Sequence, residues 1–328
     1  MSAIRLGLCI PERKKSAICL PERIEALCDE KNIKIIEIDI DADLESQGPF
    51  DVLLHKIIDY YNVFPIQEAD EKVKRLVSYA TRHSKMVVLD DFDWCLRLTK
   101  RKSMIEVFEH CQFIMDDIKV FFPKTVELTA EMSSSDIERV IRNTDIRLPV
   151  VAKPFNAALD DGSHNMALVF SEERLIDLKR PCLIQEFCNH SGVYYKVFVV
   201  GDRFNICENP SIRDFHQKDS DCPTIFFNTR TIAKVGQPFN SNLHDKDPND
   251  HDWLSCDQQP NMLNRNLIKD IIQRMRQKTG IQLFKFDLIV ERDTGHYGLI
   301  DMNQFPSFRG IDSKHFPKHL VELITNYQ

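Results

Sequence analysis

Residues 283–303, LFKFDLIVERDTGHYGLIDMN, contain two apolar runs separated by a short polar segment. In the first run apolar and polar residues alternate, so an extended strand places its apolar side chains on one face and Lys285 and Asp287 on the other. The second run ends with Asp301 and Asn303, which are two residues apart and therefore share one face of a strand. The pattern predicts a β-hairpin with one apolar face and one polar face.

A tight loop joins the two predicted strands. Residues 293–295, Asp-Thr-Gly, are typical of such a loop because Gly295 adopts a positive φ without strain. If Thr294 is the centre of the loop, Asp287 lies directly opposite Asp301, with Cβ atoms about 4.5–5.5 Å apart. Like charges at that distance destabilise the sheet unless a cation neutralises them.

The polar face of this hairpin offers the ligands that Mg²⁺ prefers. Two carboxylates and an amide supply hard oxygen ligands, and water and substrate phosphates usually complete the coordination. We therefore predict a magnesium site formed by Asp287, Asp301 and Asn303. The alternative is a surface hairpin whose acids simply face solvent, and it stays open on this pattern alone.

Composition limits the classes of partner. A chain of 328 residues is long enough for two or three domains, and its 43% hydrophobic and 28% charged residues are those of an ordinary soluble protein. The net charge of −7 argues against broad binding to nucleic acid or anionic membranes. No apolar run approaches the ~20 residues of a membrane span. We expect neither a nucleic-acid nor a membrane partner, whereas local lysines can still bind a small anion.

The cysteines and the N-terminus indicate the compartment. The ten cysteines are scattered and include no C-x-x-C pair, which favours free, buried thiols over disulfides or zinc sites. The N-terminal residues are charged too soon, at Arg5, for a signal peptide. We expect a cytoplasmic protein.

Two lysines fall at predicted strand ends in the N-terminal part of the chain. Residues 4–89 alternate between strand-like and helix-like patterns, which predicts an open, mostly parallel α/β sheet. Ligands of such sheets bind beyond the carboxyl ends of the strands. Lys14 lies in a basic loop after the first predicted strand and Lys56 ends the third. The pair predicts a clamp for a polyanion, although each lysine taken singly is also explained as a solvated residue.

The chain lacks the glycine-rich loops of the common nucleotide-binding folds. Neither G-x-G-x-x-G nor G-x-x-x-x-G-K-[ST] occurs, so a Rossmann domain or a P-loop has no support. Ser16 predicts the start of a helix that reaches about residue 32. Residues 233–261 are polar without periodicity and predict a long surface excursion. A basic stretch at residues 100–103 predicts the start of a second domain.

Several motifs occur in an order that is typical of one superfamily. A strand that ends in Lys153, a polar loop, a linker strand at residues 184–187 and the D…D-x-N hairpin together resemble the ATP-grasp enzymes. Within that superfamily the chain resembles the inositol 1,3,4-trisphosphate 5/6-kinases, also called inositol-tetrakisphosphate 1-kinases, over nearly its whole length. The motifs that carry this resemblance are HK at 55–56, SH at 163–164, YKVFVVG at 195–201, IFFN at 225–228 and IDMNQFP at 300–306.

The resemblance implies an α/β (α+β) fold of the ATP-grasp type. In it an N-terminal open α/β domain, residues 1–100, contributes to inositol phosphate binding, and two α+β domains, residues 101–190 and 191–328, clasp the nucleotide. The implied ATP contacts are Arg101, Lys153, Gln185, Glu186, Phe187, Cys188, Lys196, Ser211 and Thr229. The implied inositol phosphate contacts are Lys14, Lys56, His164, Lys196 and Asn303, with Arg213 as an addition. The implied magnesium ligands are the same Asp287, Asp301 and Asn303.

The resemblance also implies a reaction. A monomer would transfer the γ-phosphoryl group of ATP to a ring hydroxyl of a myo-inositol tris- or tetrakisphosphate. Two Mg²⁺ ions would bridge the β- and γ-phosphates, and Lys196 or His164 would act as catalytic residues that stabilise the transferred group. We assign no general base, because a loose transition state needs mainly positioning and charge neutralisation.

Three positions depart from the family pattern. The loop before His164 is one residue longer and lacks an early glycine, Ala233 replaces a common hydroxyl, and Ser307 replaces a common glycine. None of these changes removes a charged group, so they bear on substrate preference. Two other functions remain as alternatives: an ATP-grasp ligase that joins a carboxylate to an amine, and a non-catalytic inositol phosphate-binding protein.

Overall fold

The computed structural model describes residues 2–157, 161–215, 221–229, 263–308 and 315–327, which form three sheets with helices packed against them. Residues 158–160 of the loop before His164 lie outside the described residues, as do Ala233 and the rest of the predicted excursion at 233–261. Within the described ranges, no helix is long and apolar enough to cross a bilayer.

The N-terminal part contains four strands and five α-helices. The strands are β1 (Ile4–Cys9), β2 (Ile33–Glu37), β3 (Val52–His55) and β4 (Val87–Leu89), and the helices are α1 (Glu12–Ile18), α2 (Glu22–Glu30), α3 (Leu44–Gln47), α4 (Ile66–Arg82) and α5 (Phe92–Arg97). The strands are parallel in the order β2-β1-β3-β4, which confirms the open α/β sheet. Apolar clusters cover both faces, so β1 and β3 are buried almost throughout.

The single helix predicted from Ser16 to about residue 32 is wrong. The chain forms two helices there because Cys19 adopts a left-handed conformation with φ of 52° and Pro21 follows it. Lys14 consequently lies inside α1 rather than in a loop.

The middle of the chain supplies short strands between helices. Its elements are α6 (Arg101–His110), β5 (Phe113–Met115), β6 (Ile118–Phe121), β7 (Thr125–Leu128), α7 (Ser134–Thr144), β8 (Val150–Pro154), β9 (Asn165–Val169) and β10 (Cys182–Glu186), with 3₁₀ helices at Asp161–His164 and Glu172–Asp177. The remaining elements are β11 (Val193–Val200), β12 (Arg203–Pro210), β13 (Ile225–Asn228), α8 (Arg265–Thr279), β14 (Leu283–Val290), β15 (Tyr297–Gln304) and α9 (His315–Thr325).

These strands form a central sheet in the order β13-β9-β8-β10-β7 and a larger sheet in the order β12-β11-β14-β15-β6-β5. The chain crosses between these two sheets four times, after β6, β10, β12 and β13. The division of the chain into domains at residues 100 and 190 stays a prediction.

The N-terminal sheet and the larger sheet share one apolar core. Leu6 and Leu8 of β1 cluster with Phe198 of β11, Leu283 of β14 and Phe316 of α9. Burial of side chains of this size stabilises by about 1.5–3 kcal/mol each. The carboxyl ends of the N-terminal strands are thereby held against the start of the β14–β15 hairpin.

A buried carboxylate fixes the same junction. Asp90, directly after β4, is 4% exposed and accepts hydrogen bonds from the backbone N–H groups of Gln282 (2.7 Å) and Leu283 (3.0 Å). Its carbonyl oxygen lies 2.6 Å from Nε2 of His55, the residue before Lys56. Asp90 therefore connects the end of β3 to the start of β14.

The expectation of free, buried thiols is confirmed for most of the described cysteines and wrong for one. Eight described cysteines are free, and six of these are buried. Cys207 of β12 is disulfide-bonded. Scattered spacing alone gave no signal for that pairing.

We expect Asp90→Ala to lower the free energy of unfolding markedly, because it leaves two buried N–H groups without an acceptor at about 1–3 kcal/mol each. Asp91→Ala is the matched control. Asp91 is exposed and caps α5 by accepting from the backbone N–H of Trp94 at 2.8 Å, so its loss should cost about 1 kcal/mol. Urea unfolding measures both variants, and equal destabilisation of the two would contradict the role given to Asp90.

Candidate active site

The β14–β15 hairpin places the predicted magnesium ligands on one face. Asp287 pairs directly with Asp301, which confirms the predicted opposition. The loop is not centred on Thr294, since Val290 pairs with Tyr297. The register shifts between Asp287 and Leu288, and this bulge restores the predicted pairing.

The polar face of the larger sheet carries a row of charged residues. Lys196 of β11 pairs with Asp287, which pairs in turn with Asp301, so the three side chains lie side by side on consecutive strands. The opposite face of β14 packs its apolar residues, Phe284 and Phe286 among them, in a core with α6 and α8. The row therefore faces away from this core.

Lys285 neutralises the carboxylate pair. Its Nζ donates to both oxygens of Asp287, at 2.8 and 3.1 Å, and it pairs across the hairpin with Asn303. Burial alone would lower the pKa of Lys285, but the carboxylates of Asp287 and Asp301 outweigh it and raise that pKa. Sequence reasoning placed Lys285 on the correct face but gave it no role.

The donor set of the hairpin fits a hard divalent ion. Asp301 and Asp287 present carboxylate oxygens, and Asn303 lies beside them with its Nδ2 donating to Asp301 Oδ2 at 2.8 Å. An amide that rotates about its terminal bond exchanges its nitrogen for its oxygen, which is the atom that a magnesium ion requires. Among the described residues no cluster of three or more His, Cys, Asp or Glu side chains offers a different metal site.

Lys153 reaches this row from the central sheet. Its Nζ donates to Gln185 Oε1 at 2.6 Å and to the carbonyl of Ile300 at 3.1 Å. Burial, and then the nearby charge of Arg101, lowers the pKa of Lys153 to about 8, against the opposing effect of the two aspartates. The contact joins the central sheet to the bulge of β15.

Residues 185–188 connect the two sheets. Gln185 faces Lys153, whereas the carboxylate of Glu186 accepts from the backbone N–H of Arg147 at 2.8 Å. Phe187 packs against Phe215. A cavity of about 560 Å³ adjoins this segment, and the residues lining it are Arg147, Leu148, Pro149, Phe170, Glu186, Phe187, Cys188, Asn189, Phe215, Glu291 and Asp293.

A buried histidine ties Ser211 to this segment. His190 Nδ1 lies 2.6 Å from the carbonyl of Cys188, and its Nε2 lies 2.6 Å from Ser211 Oγ. Burial lowers the pKa of His190. Nδ1 donates to the carbonyl, so a neutral ring accepts from the hydroxyl at Nε2. Sequence reasoning named Cys188 and Ser211 but missed the histidine, because a lone His in a polar segment carries no signal.

Arg101 and Arg213 are both engaged with backbone carbonyls. The guanidinium of Arg101 donates to Pro154 O at 2.8 Å, to Asn156 O and to Ser163 O at 3.1 Å. Arg101 thus holds the segment that leads to His164. Arg213 donates to the carbonyl of Asp214 and lies over the ring of Phe215. Their predicted ligand contacts stay predictions.

His164 and Thr229 come together at the edge of the central sheet. His164 Nδ1 lies 2.9 Å from Thr229 Oγ1, and the backbone N–H of Thr229 donates to the carbonyl of His164 at 3.0 Å. The pairing of β9 with β13 brings the two residues together, since Asn165 pairs with Asn228.

Lys14 and Lys56 converge on the end of β15. Lys56 Nζ donates to the carbonyl of Gln304 at 2.7 Å, and Lys14 Nζ donates to the carbonyl of Phe305 at 3.2 Å. Both ammonium groups lie near the ring of Phe305, at 5.5 Å for Lys14 and 5.9 Å for Lys56. Lys14 of helix α1 and Lys56 at the end of β3 therefore meet directly after Asn303.

Comparison with known proteins places this geometry in a family. Residues 114–326 match the inositol 1,3,4-trisphosphate 5/6-kinase ATP-grasp domain, and residues 5–94 match the pre-ATP-grasp domain of the same family. An inositol-tetrakisphosphate 1-kinase of Danio rerio is 31% identical, covering 94% of this chain and 75% of that protein. A protein of the same name from Xenopus laevis is 31% identical, covering 98% of this chain and 78% of its own.

Solved structures show the fold. A RiPP-associated ATP-grasp ligase of Chryseobacterium gregarium, in complex with ADP and a leader and core peptide, has a TM-score of 0.60 at 13% identity, covering 100% of this chain and 98% of that one. At that identity the likeness shows the ATP-grasp fold alone. Together with the two matched domains, it establishes that the chain is an ATP-grasp protein and belongs to the inositol 1,3,4-trisphosphate 5/6-kinase family.

Proposed function

We propose that this protein is a Mg²⁺-dependent ATP:inositol polyphosphate phosphotransferase that phosphorylates ring hydroxyls of myo-inositol tris- and tetrakisphosphates. The observation that carries the proposal is the convergence of Lys14 and Lys56 on the strand end that follows Asp301 and Asn303. A phosphorylated acceptor held by these lysines would lie next to the hairpin that holds the metal. In this proposal the protein acts as a cytoplasmic monomer.

Cations from all three sheets would bind the two phosphorylated molecules. Lys153 and Lys196 lie near Asp287 and Asp301, where the phosphates of ATP would approach the metal. Lys14 and Lys56 lie at the other end of the row and would hold the phosphates of the inositol. Hydrogen bonds from ammonium groups to phosphate are charge-assisted and therefore strong.

The hairpin would position the metal and the reacting group. Asp287, Asp301 and Asn303 would hold Mg²⁺, which when bound neutralises the negative charge of the transferred phosphoryl group. Lys196, next to Asp287 in the row, would stabilise the same group as a catalytic residue, with His164 as the second candidate. We assign no general base, since catalysis of this transfer depends mainly on positioning and electrostatics.

The linker would bind the adenosine part of ATP. Gln185 contacts Lys153, and Glu186, Phe187 and Cys188 line the cavity at the linker, whose walls combine apolar residues such as Phe170 and Phe187 with polar ones. Ser211 is held against the linker by His190. Thr229 and Arg101 would contact the nucleotide, and Arg213 the inositol phosphate.

A carboxylate–amine ligase is the second function that this fold supports, because the solved relative with ADP is a ligase. The two functions are separated by their products. Incubation with ATP, Mg²⁺ and a panel of inositol phosphate isomers should yield a more highly phosphorylated inositol. Formation of a new amide bond would support the ligase, and binding without turnover would support the non-catalytic alternative.

We expect Asp301→Ala to reduce ATP consumption with inositol 1,3,4-trisphosphate by more than ~10²-fold, because metal neutralisation of the transition state contributes several kcal/mol. Asp29→Ala is the control, an aspartate of α2 that is exposed and does not line the cavity at the linker. Its loss should leave the rate almost unchanged. Normal turnover in Asp301→Ala would contradict the assignment of Asp301 as a magnesium ligand.

We expect Lys14→Ala to raise KM for the inositol phosphate by about tenfold or more and to leave KM for ATP nearly unchanged. The reason is the loss of one charge-assisted hydrogen bond, which contributes about 1.5–3 kcal/mol. Lys15→Ala is the matched control, because Lys15 pairs with Glu12 and Glu37 instead. Steady-state kinetics with each substrate varied in turn measures the difference, and an equal effect of both variants would refute the clamp.

We expect ADP to bind more weakly as pH rises through about 8, because the lowered pKa of Lys153 means that its ammonium is lost there. Bound phosphate raises that pKa, so binding takes up a proton and affinity falls by up to about tenfold per pH unit above 8. In Lys153→Arg the guanidinium stays charged and the affinity should not vary between pH 7 and 9. Isothermal titration across this range tests the prediction, and a flat wild-type profile contradicts it.

A further inference from the structure

Lys285 is a cation built into the candidate metal site. It lies two residues before Asp287 on the same strand face and pairs across the hairpin with Asn303. Its Nζ contacts both oxygens of Asp287, and the side chains of Lys285 and Asp287 are only 17% and 12% exposed. Of the three proposed metal ligands, Asp287 is thus already occupied by a buried, bidentate ion pair.

The other lysines of the site are engaged differently. Lys153 donates to Gln185 and to the carbonyl of Ile300, and Lys196 lies 5.3 Å from the centre of the Tyr194 ring. Among these three lysines, it is Lys285 that forms the ion pair with Asp287. Its position in the register is fixed on both sides, because it pairs with Phe198 of β11 and with Asn303 of β15.

A divalent ion bound directly to Asp287 would either share the carboxylate with the ammonium of Lys285, so that two cations lie side by side, or displace that ammonium. Displacement breaks a largely buried ion pair and leaves an uncompensated charge. Within the described ranges, neither Asp301 nor Asn303 forms such an ion pair with a lysine. The hydrogen bond between them joins a neutral amide donor to a carboxylate, and an amide rotation releases it. Asp301 and Asn303 are therefore more available to a divalent ion than Asp287 is.

We propose that Lys285 takes the place of one divalent ion, so that the site holds a single Mg²⁺ on Asp301 and Asn303 while the ammonium of Lys285 stays on Asp287 and faces the phosphates. The inference rests on the proposed function and changes it in two respects: one ion replaces the two that the family resemblance implies, and Asp287 is no longer a direct metal ligand. One divalent ion and one fixed ammonium then neutralise the carboxylate pair and the transferred phosphoryl group. Lys285 becomes a further residue of the phosphoryl-transfer site.

The test counts Mn²⁺ bound to the full-length protein in the presence of a saturating non-hydrolysable ATP analogue, by electron paramagnetic resonance of free Mn²⁺. We expect one tightly bound ion per chain in the wild type, with a second at least about tenfold weaker. Lys285→Met frees Asp287 and should bind two ions tightly, whereas Lys285→Arg keeps the charge and should bind one. Lys278→Met, an exposed lysine of α8, is the control and should match the wild type.

Two tightly bound ions in the wild type, or one in a folded Lys285→Met, overturn the inference. If circular dichroism shows that Lys285→Met does not fold, the same count of bound Mn²⁺ is made on Asp287→Asn and Asp301→Asn. The inference expects Asp287→Asn to keep the single ion and Asp301→Asn to lose it, and loss in both refutes it. Failure of the ATP analogue to bind at all would instead refute the proposed function, on which the inference rests.

Discussion

The pairing of Asp287 with Asp301 is the constraint around which the site is built, and one irregularity of the backbone makes it possible. The register set by the loop, continued without the bulge, would pair Asp287 with Ile300 and Phe286 with Asp301. Asp301 would then face the apolar core beside Phe286, where a carboxylate is costly to bury. The extra residue returns Asp301 and Asn303 to the polar face, because a shift of one residue exchanges the faces of a strand.

The same strand joins the three sheets through its carbonyl groups. Ile300 accepts from Lys153 of the central sheet, Gln304 from Lys56 and Phe305 from Lys14 of the N-terminal part. Each lysine is therefore held near the hairpin before any phosphate binds, by an acceptor that a phosphate oxygen can replace. Replacement of a carbonyl acceptor by a charged phosphate oxygen strengthens the hydrogen bond. Because folding has already positioned the lysine side chains, binding loses little of their conformational entropy.

The parts of the structure that sequence reasoning predicted are those that depend on local patterns. Alternation with a period of two placed Lys285, Asp287, Asp301 and Asn303 on one face, and the apolar strands of the N-terminal sheet stood out as continuous runs. Strands β5 to β7 are three or four residues long and only partly buried, too short to show a period.

The contacts that were missed join residues far apart in the chain. Arg101 holds carbonyls more than fifty residues away, and Asp90 accepts from residues nearly two hundred positions later. His190 carries no pattern that distinguishes it from any polar loop residue. Such contacts follow from the packing of one sheet on another, which a single sequence does not display. The role of Lys285 was missed for a different reason. The sequence predicted that Lys285 lies on the polar face of the hairpin, but its ion pair with Asp287 depends on side-chain geometry.

The charges of the cleft bear on the kind of acceptor that it binds. Lys153, Lys196 and Lys285 lie near two aspartates, where their charges can serve the phosphates of a nucleotide. Lys14 and Lys56 are additional, and Lys56 is 7% exposed. Burying this ammonium is costly, because the carbonyl of Gln304, the ring of Phe305 and the nearby charges of Asp59 and Asp90 do not fully replace its lost hydration, and burial lowers the pKa of Lys56. A neutral amine acceptor, as in a ligase, would not compensate the buried charge of Lys56 at any step of the reaction. A phosphorylated acceptor would compensate that charge when it binds. A phosphorylated acceptor therefore explains why Lys14 and Lys56 lie together at the end of β15.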